Sequence, residues 1–365
     1  MLSTETITHA ARDLPVAISG ELQKFFVSRE ALVAPIGPHY EAVADLLAKF
    51  VLRGGKRVRP VFAWLGWVGS GGNPESPEAP SVLTACASLE LIQACALVHD
   101  DIIDNSDTRR GHPTVHVEFA AHHANSAWNG DADRFGVAAG IITGDLAFAW
   151  ADDMFHGAGL PRESHLRAFP VWSAMRTEVL GGQLLDIVVE ASDDGSLESA
   201  EKINRYKTAA YTVERPLHLG AAIAGANDEL ISAFRTYGEC IGIAFQLRDD
   251  LLGVFGDPEL TGKPSGDDLI EGKRTELLAH ALKRADAQRP QDAQFLRKAI
   301  GTDLSAHDID TIRSLLVDLG AVDAVEQRIS TLTDRGLAAL ENSTATDSAK
   351  QQLHQMALTV TRRAF

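Results

Sequence analysis

Apolar residues recur three and four positions apart through most of the chain, in segments rich in Ala and Leu, and alternating runs of β-branched residues are nearly absent. The pattern predicts an all-α protein. Breaks rich in Gly, Pro, Ser, Asn and Asp at 69–80, 122–133, 190–199, 256–266 and 287–292 mark interhelical loops. Chemically suggestive residues lie on both sides of each break, so the expected organisation is one domain over residues 1–365. Two stretches, 89–104 and 241–252, are apolar on nearly all sides, as central helices are. Each carries an acidic cluster.

A chain of 365 residues with 45% apolar content can bury a sizeable core. Its 34 basic against 50 acidic side chains give a net charge of −16, which repels a phosphate backbone and speaks against a nucleic-acid partner. Any anionic ligand must then be met by a local basic site or by metal ions. The three cysteines, Cys86, Cys95 and Cys240, are odd in number and sit in apolar stretches, which excludes a disulfide framework or zinc site and fits a reducing cytoplasm. Thr6, Arg12, Asp13, Glu21, Lys24 and Arg29 interrupt the first thirty residues, leaving no signal-peptide core. The most apolar stretches, 82–98 and 240–254, are short or broken by Glu90, Arg248, Asp249 and Asp250, so no transmembrane segment is expected.

In Val98-His99-Asp100-Asp101-Ile102-Ile103-Asp104 a helix places Asp100 and Asp104 one above the other, with Asp101 about 100° away. An acidic run is often only a solvated helix end. Here it closes an apolar helix and precedes Arg109 and Arg110, and hard oxygen ligands one turn apart suit magnesium shared with substrate phosphates. Phe245-Gln246-Leu247-Arg248-Asp249-Asp250 is a second cluster on the other apolar helix. Two such helices facing each other would cage several magnesium ions against one diphosphate and stabilise its departure, with no general base required. Adjacent Arg109 and Arg110 diverge, so each can serve a different diphosphate. Lys56 and Arg57 follow two glycines that permit close backbone approach to an anion. His99 reads as a packed residue rather than a ligand.

With these motifs in place, the chain resembles the trans-isoprenyl diphosphate synthases, or polyprenyl synthetases, from about residue 38 to about 278, with weaker helical similarity over 279–365. Gly54-Gly55-Lys56-Arg57-Val58-Arg59-Pro60 is similar to the family's GGKRxRP, and Asp100 through Arg110 to its DDxxD followed by RRG. Lys207-Thr208 with Tyr211, Gln183 with Asp186, and Phe245-Gln246 ahead of Asp249-Asp250 extend the likeness. The resemblance implies a single-domain bundle of long helices around a central cavity (the isoprenoid synthase fold), paired as a homodimer. It also implies head-to-tail condensation of isopentenyl diphosphate with an allylic diphosphate (dimethylallyl, geranyl or farnesyl) and three magnesium ions per active site. Asp100, Asp104 and Asp249 match metal ligands, with Asp101 and Asp250 close behind. Arg109, Lys207, Lys263 and Lys273 match holders of the allylic diphosphate; Gly55, Lys56, Arg57, Gln93 and Arg110 match the isopentenyl diphosphate site. Thr208 and Gln246 match polar groups beside the reacting carbons. One departure is Gly253, where many relatives carry a third aspartate, which leaves the roles of Asp257, Asp267 and Asp268 open.

A class I terpene cyclase would share the first cluster but not the second, nor need the 54–60 segment. A non-catalytic partner subunit would be free to lose the aspartates and arginines that this chain keeps. For product length, family members that form farnesyl diphosphate carry bulky aromatics at the positions of Cys95 and Ala96. Small side chains there leave the cavity open, one helical turn of about 5.4 Å being close to one isoprene unit. With Ile92 a turn deeper, the expected product is geranylgeranyl diphosphate (C20), with a longer chain as the alternative.

Overall fold

The computed structural model describes the backbone of residues 4–256 and 266–361, with side chains from Leu14 onward. It is all-α. In chain order the helices are α1 (Thr4–Val33), α2 (Pro38–Leu52), α3 (Val58–Gly69), α4 (Ala79–Ala87), α5 (Leu89–Ile103), α6 (Val115–Asn125), α7 (Ala132–His156), α8 (Arg162–Ala191) and α9 (Leu197–Ile203). A π-helical segment, Asn204–Glu214, follows, then α10 (Arg215–Ala224), α11 (Asp228–Phe255), α12 (Asp267–Ile270), α13 (Glu276–Gln288), α14 (Pro290–Ala299), α15 (Ala306–Asp318), α16 (Ala321–Glu341) and α17 (Asp347–Thr361). The only strands among the described residues are two-residue pieces, Thr108–Arg109 and His112–Pro113, paired as a hairpin.

The expected breaks at 69–80, 122–133 and 190–199 fall between helices, that at 287–292 narrows to Arg289 alone between α13 and α14, and that at 256–266 lies mostly outside the described residues. Several helices open on an oxygen acceptor: Asp131, Ser196, Asn227 and Thr275 each accept from a backbone amide of the first turn, and Ser305 with Asp308 forms a capping box.

The chain divides into two compact units, Met1–Pro170 with Leu219–Ala226, and Val171–His218 with Asn227–Phe365. In the first unit, Phe25 and Phe26 of α1 meet Trp150 of α7 edge-on at 6.0 and 6.1 Å, over a core that includes the fully buried Phe62. The 219–226 segment is embedded in it. A Cβ at Gly220 would collide with the Ala63 carbonyl oxygen, and Arg167 donates to the carbonyls of Ala222 and Ile223 at 2.9 and 2.8 Å. In the second unit, Leu247, Leu251 and Val254 of α11 pack with Leu277 and Leu282 of α13, Ile312 and Leu316 of α15, and Val325 of α16. Arg248 ties α11 down with bonds of 2.6 and 2.7 Å to Glu326 and one of 2.9 Å to the Thr361 carbonyl.

Two stretches, residues 79–103 and 132–156, are long and apolar enough to cross a membrane by length and composition alone. Burial accounts for the first: 67% of its most apolar window lies inside the protein, against 44% for the second.

Candidate active site

In the first unit α5 delivers the leading acidic cluster. Asp100 and Asp101 sit in its last turn and Asp104 caps it, with the Asp104 amide closing on the Asp100 carbonyl. The chain then reverses through the hairpin, where Arg110 and Gly111 both take left-handed backbone (φ 54° and 74°), as a two-residue type I′ turn requires. That turn sends the two arginines apart. Arg109 donates to Asp101 at 2.5 Å and to Asp100 at 3.4 Å, holding a wholly buried carboxylate and a half-buried one. Arg110 reaches the Gly54 carbonyl at 3.4 Å, and its guanidinium lies 3.3 Å from where a Cβ on Gly55 would stand. Gly55 has φ 140°, a conformation that favours glycine, and a Cβ there would press on the tip of the Arg110 side chain. Burial, then the neighbouring guanidiniums of Arg109, Arg59 and Arg57, push the pKa of Arg110 down despite Glu90.

Arg57, matched to the isopentenyl diphosphate site, is 4% exposed, donating to Glu90 at 2.5 Å and to the Val51 carbonyl at 2.8 Å. The buried carboxylate draws it in. Arg59, named only as part of the 54–60 motif, and Glu90, named only as a break in an apolar stretch, were given no role from the sequence. The signal for Glu90 was a single acid among the apolar residues of α5; that for Arg59 was its place in the same basic motif as Lys56 and Arg57. Lys56 is exposed, and Gln93 lies half-buried on α5.

Of the residues matched to chain length, Ile92 and Cys95 are buried and Ala96 is half-buried. The Cys95 thiol sits 3.6 Å from Nδ1 of His99, whose Nε2 is 3.3 Å from the Ile141 carbonyl on α7, and burial with Asp145 nearby pushes its pKa up to about 12. Gly144 leaves the room that the His99 ring fills. His99 is thus a packing residue between α5 and α7.

In the second unit the π-helical segment carries Lys207 and Thr208. Lys207 donates to Asp186 of α8 at 2.5 Å. Thr208 donates to the Gln246 side-chain oxygen at 2.7 Å, and the Gln246 amide donates to Asp250 at 2.7 Å, a relay running into the second acidic cluster. Glycines let neighbouring helices approach this segment: a Cβ at Gly182 would meet the Lys207 amide nitrogen, and one at Gly242 would lie 2.6 Å from the Ala209 Cα. Glu214, 1% exposed, closes the segment on Arg205 and on Arg235, the latter at 2.9 Å. A π-helix in this place fits the association of such segments with functional sites.

Asp249 is half-buried, while Asp250 is 5% exposed. One carboxylate oxygen of Asp250 has no hydrogen-bond partner among the described residues. Burial, followed by the charges of Asp268, Asp249 and Glu276, pushes its pKa well above the usual carboxylate range, against the Gln246 bond. A hard cation would relieve that penalty, so this donor set fits magnesium. No three His, Cys, Asp or Glu side chains among the described residues group as a metal site. Magnesium, which retains waters and takes substrate oxygens, does not require such a cage. At Gly253 the structure explains the missing aspartate: a Cβ there would collide with the carboxylate of Asp268, which fills the space. Lys273 pairs with Glu271 at 2.6 Å and Asp268 at 3.5 Å. Lys263 and Asp257 lie outside the described residues.

Comparison with known proteins places these features in context. The polyprenyl synthetase family model matches residues 40–316. The chain is 33% identical to the geranylfarnesyl diphosphate synthase of Aeropyrum pernix, over 84% of this chain and 89% of that one. It is 31% identical to the octaprenyl diphosphate synthase of Escherichia coli (strain K12), over 85% and 87%. A crystal structure of geranylgeranyl pyrophosphate synthase from Corynebacterium glutamicum, complexed with isoprenyl diphosphate and magnesium, superposes with a TM-score of 0.93 at 50% identity, covering 96% of this chain and 99% of that one.

Proposed function

This chain belongs to the polyprenyl synthetase family, and from that premise we propose that it is a trans-prenyltransferase joining isopentenyl diphosphate head-to-tail to an allylic diphosphate, with geranylgeranyl diphosphate as its main product. The observation that carries the reading is the divergence of Arg109 onto the aspartates and Arg110 onto the glycine loop, two separate anion positions from adjacent residues. Asp100 and Asp104, with Asp101 behind them, and Asp249, with Asp250 behind it, would hold magnesium, three ions in each site. Bound there, the metal would supply Lewis-acid stabilisation of the negative charge on the departing diphosphate.

The protein's own groups do the rest. Arg109, Lys207, Lys263 and Lys273 bind the allylic diphosphate, and Gly55, Lys56, Gln93 and Arg110 bind the isopentenyl diphosphate. Because Thr208 gives its proton to Gln246, its oxygen offers lone pairs, the polarity that favours positive charge on a nearby allylic carbon. Cys95, Ala96 and Ile92 set the depth available to the growing chain. The active form is a homodimer in the cytoplasm, a reading supported by the exposed Ile141 and Ile142 on α7 and by three free, buried cysteines.

Incubation of the purified chain with magnesium, isopentenyl diphosphate and, separately, dimethylallyl, geranyl and farnesyl diphosphate tests the reading by chromatography of the dephosphorylated products. Geranylgeraniol is expected from every starter that is accepted. Longer alcohols would move the assignment to a long-chain synthase, and no turnover would favour a non-catalytic partner subunit.

A further inference from the structure

Arg57 heads α3 and Glu90 lies in the first turn of α5, and their side chains meet in the interior of the first unit, 3% and 9% exposed. The second Arg57 nitrogen donates to Val51 at the end of α2. One ion pair therefore ties together three helix ends, and residues 53–56 span two of them. This loop runs through left-handed backbone: Gly54 and Gly55, which adopt φ of 114° and 140° readily, lead into Arg57, for which φ 49° is costly. Such backbone persists only where its surroundings overdetermine it. On the inner side that constraint is the Arg57–Glu90 pair; beside the loop stands Arg110, against Gly54 and Gly55. A guanidinium committed to a buried carboxylate and a backbone carbonyl has little left to offer an anion outside.

We infer that the Arg57–Glu90 pair is a positioning device for isopentenyl diphosphate binding: it sets the backbone of residues 54–56 and their spacing from Arg110, and neither side chain touches the diphosphate. The inference rests on the assignment of Gly55, Lys56 and Arg110 to that substrate. It makes a prediction of opposite sign to a direct role for Arg57. If Arg57 bound the anion itself, neutralising Glu90 would free it and remove a nearby negative charge, so binding would hold or tighten. If the pair shapes the loop, neutralising Glu90 loosens binding.

The test is steady-state kinetics of the full chain, varying each substrate at saturating levels of the other, together with thermal melting. Glu90→Gln is expected to raise the KM for isopentenyl diphosphate about tenfold while the allylic KM and kcat stay within about twofold, the effect of a displaced binding loop rather than of lost chemistry. Arg57→Lys, which keeps the pair, should fall closer to wild type than Arg57→Met. The double variant Arg57→Met with Glu90→Leu removes both buried charges, so it should melt near wild type yet retain the raised KM, separating positioning from folding. An unchanged or lowered KM in Glu90→Gln overturns the inference, as does recovery of wild-type KM in the double variant. Lys56→Ala serves as the reference: if it leaves the KM for isopentenyl diphosphate unchanged, the loop assignment fails and the inference with it; if it raises that KM while Glu90→Gln does not, only the inference fails.

Discussion

Adjacent residue numbers hide opposite duties in this protein. Arg109 and Arg110 were legible as a diverging pair because any compact turn separates neighbouring side chains, whereas Arg57 was not, because its direction depends on a carboxylate that arrives from another helix. The aspartates divide in the same way: their spacing was readable, but the burial of Asp101 and Asp250 beside the more open Asp100 and Asp249 came only with packing. Asp100→Asn and Asp249→Asn should each lower turnover at least about a hundredfold at saturating magnesium with melting unchanged, since each removes charge from leaving-group stabilisation. Gly253→Asp would complete the family pattern on paper. In the fold it drives a carboxylate into Asp268, so it is expected to destabilise by about 1 to 3 kcal/mol and reduce turnover, measured by denaturant unfolding and product formation. Adding Asp268→Gly should restore much of both.

Helices α5 and α11 were visible as elements because an all-round apolar sequence has few other homes. The π-helical segment was not, since over eleven residues its wider period is hard to tell from an ordinary helix, and the hairpin is too short to alternate. Two neighbouring glycines of α8 test what the π segment needs. Gly181 has nothing near its missing Cβ, while Gly182 abuts the Lys207 backbone. Gly181→Ala should be neutral or slightly stabilising, from improved helix propensity. Gly182→Ala should cut turnover tenfold or more, because backbone cannot yield as a side-chain tip can and displacement of catalytic groups is costly. Equal rates for the two variants would show that Lys207 and Thr208 tolerate a shifted segment.

For the molecule as a whole, acid should erode stability through His218. Burial, then Arg215 and Arg235, lower its pKa to about 4, and Arg215 approaches its Nδ1 at 3.2 Å. A histidine depressed in the folded state is protonated first in the unfolded chain, so stability is whole above the ordinary histidine pKa and falls as pH drops from about 6.5 towards 4. The loss should be about 2 kcal/mol between pH 7 and pH 5, read by denaturant titration, and His218→Gln should flatten it. Connectivity has a separate effect, on the order of events during synthesis. The segment 219–226 that seats Gly220 on Ala63 leaves the ribosome long after Pro170, so the first unit cannot close when its main stretch is made and must wait, incomplete, while part of the second is translated. Stalled nascent chains ending at residue 170 should therefore remain sensitive to protease, and the 1–170 portion should gain protection only once the chain extends beyond residue 226 and clears the exit tunnel.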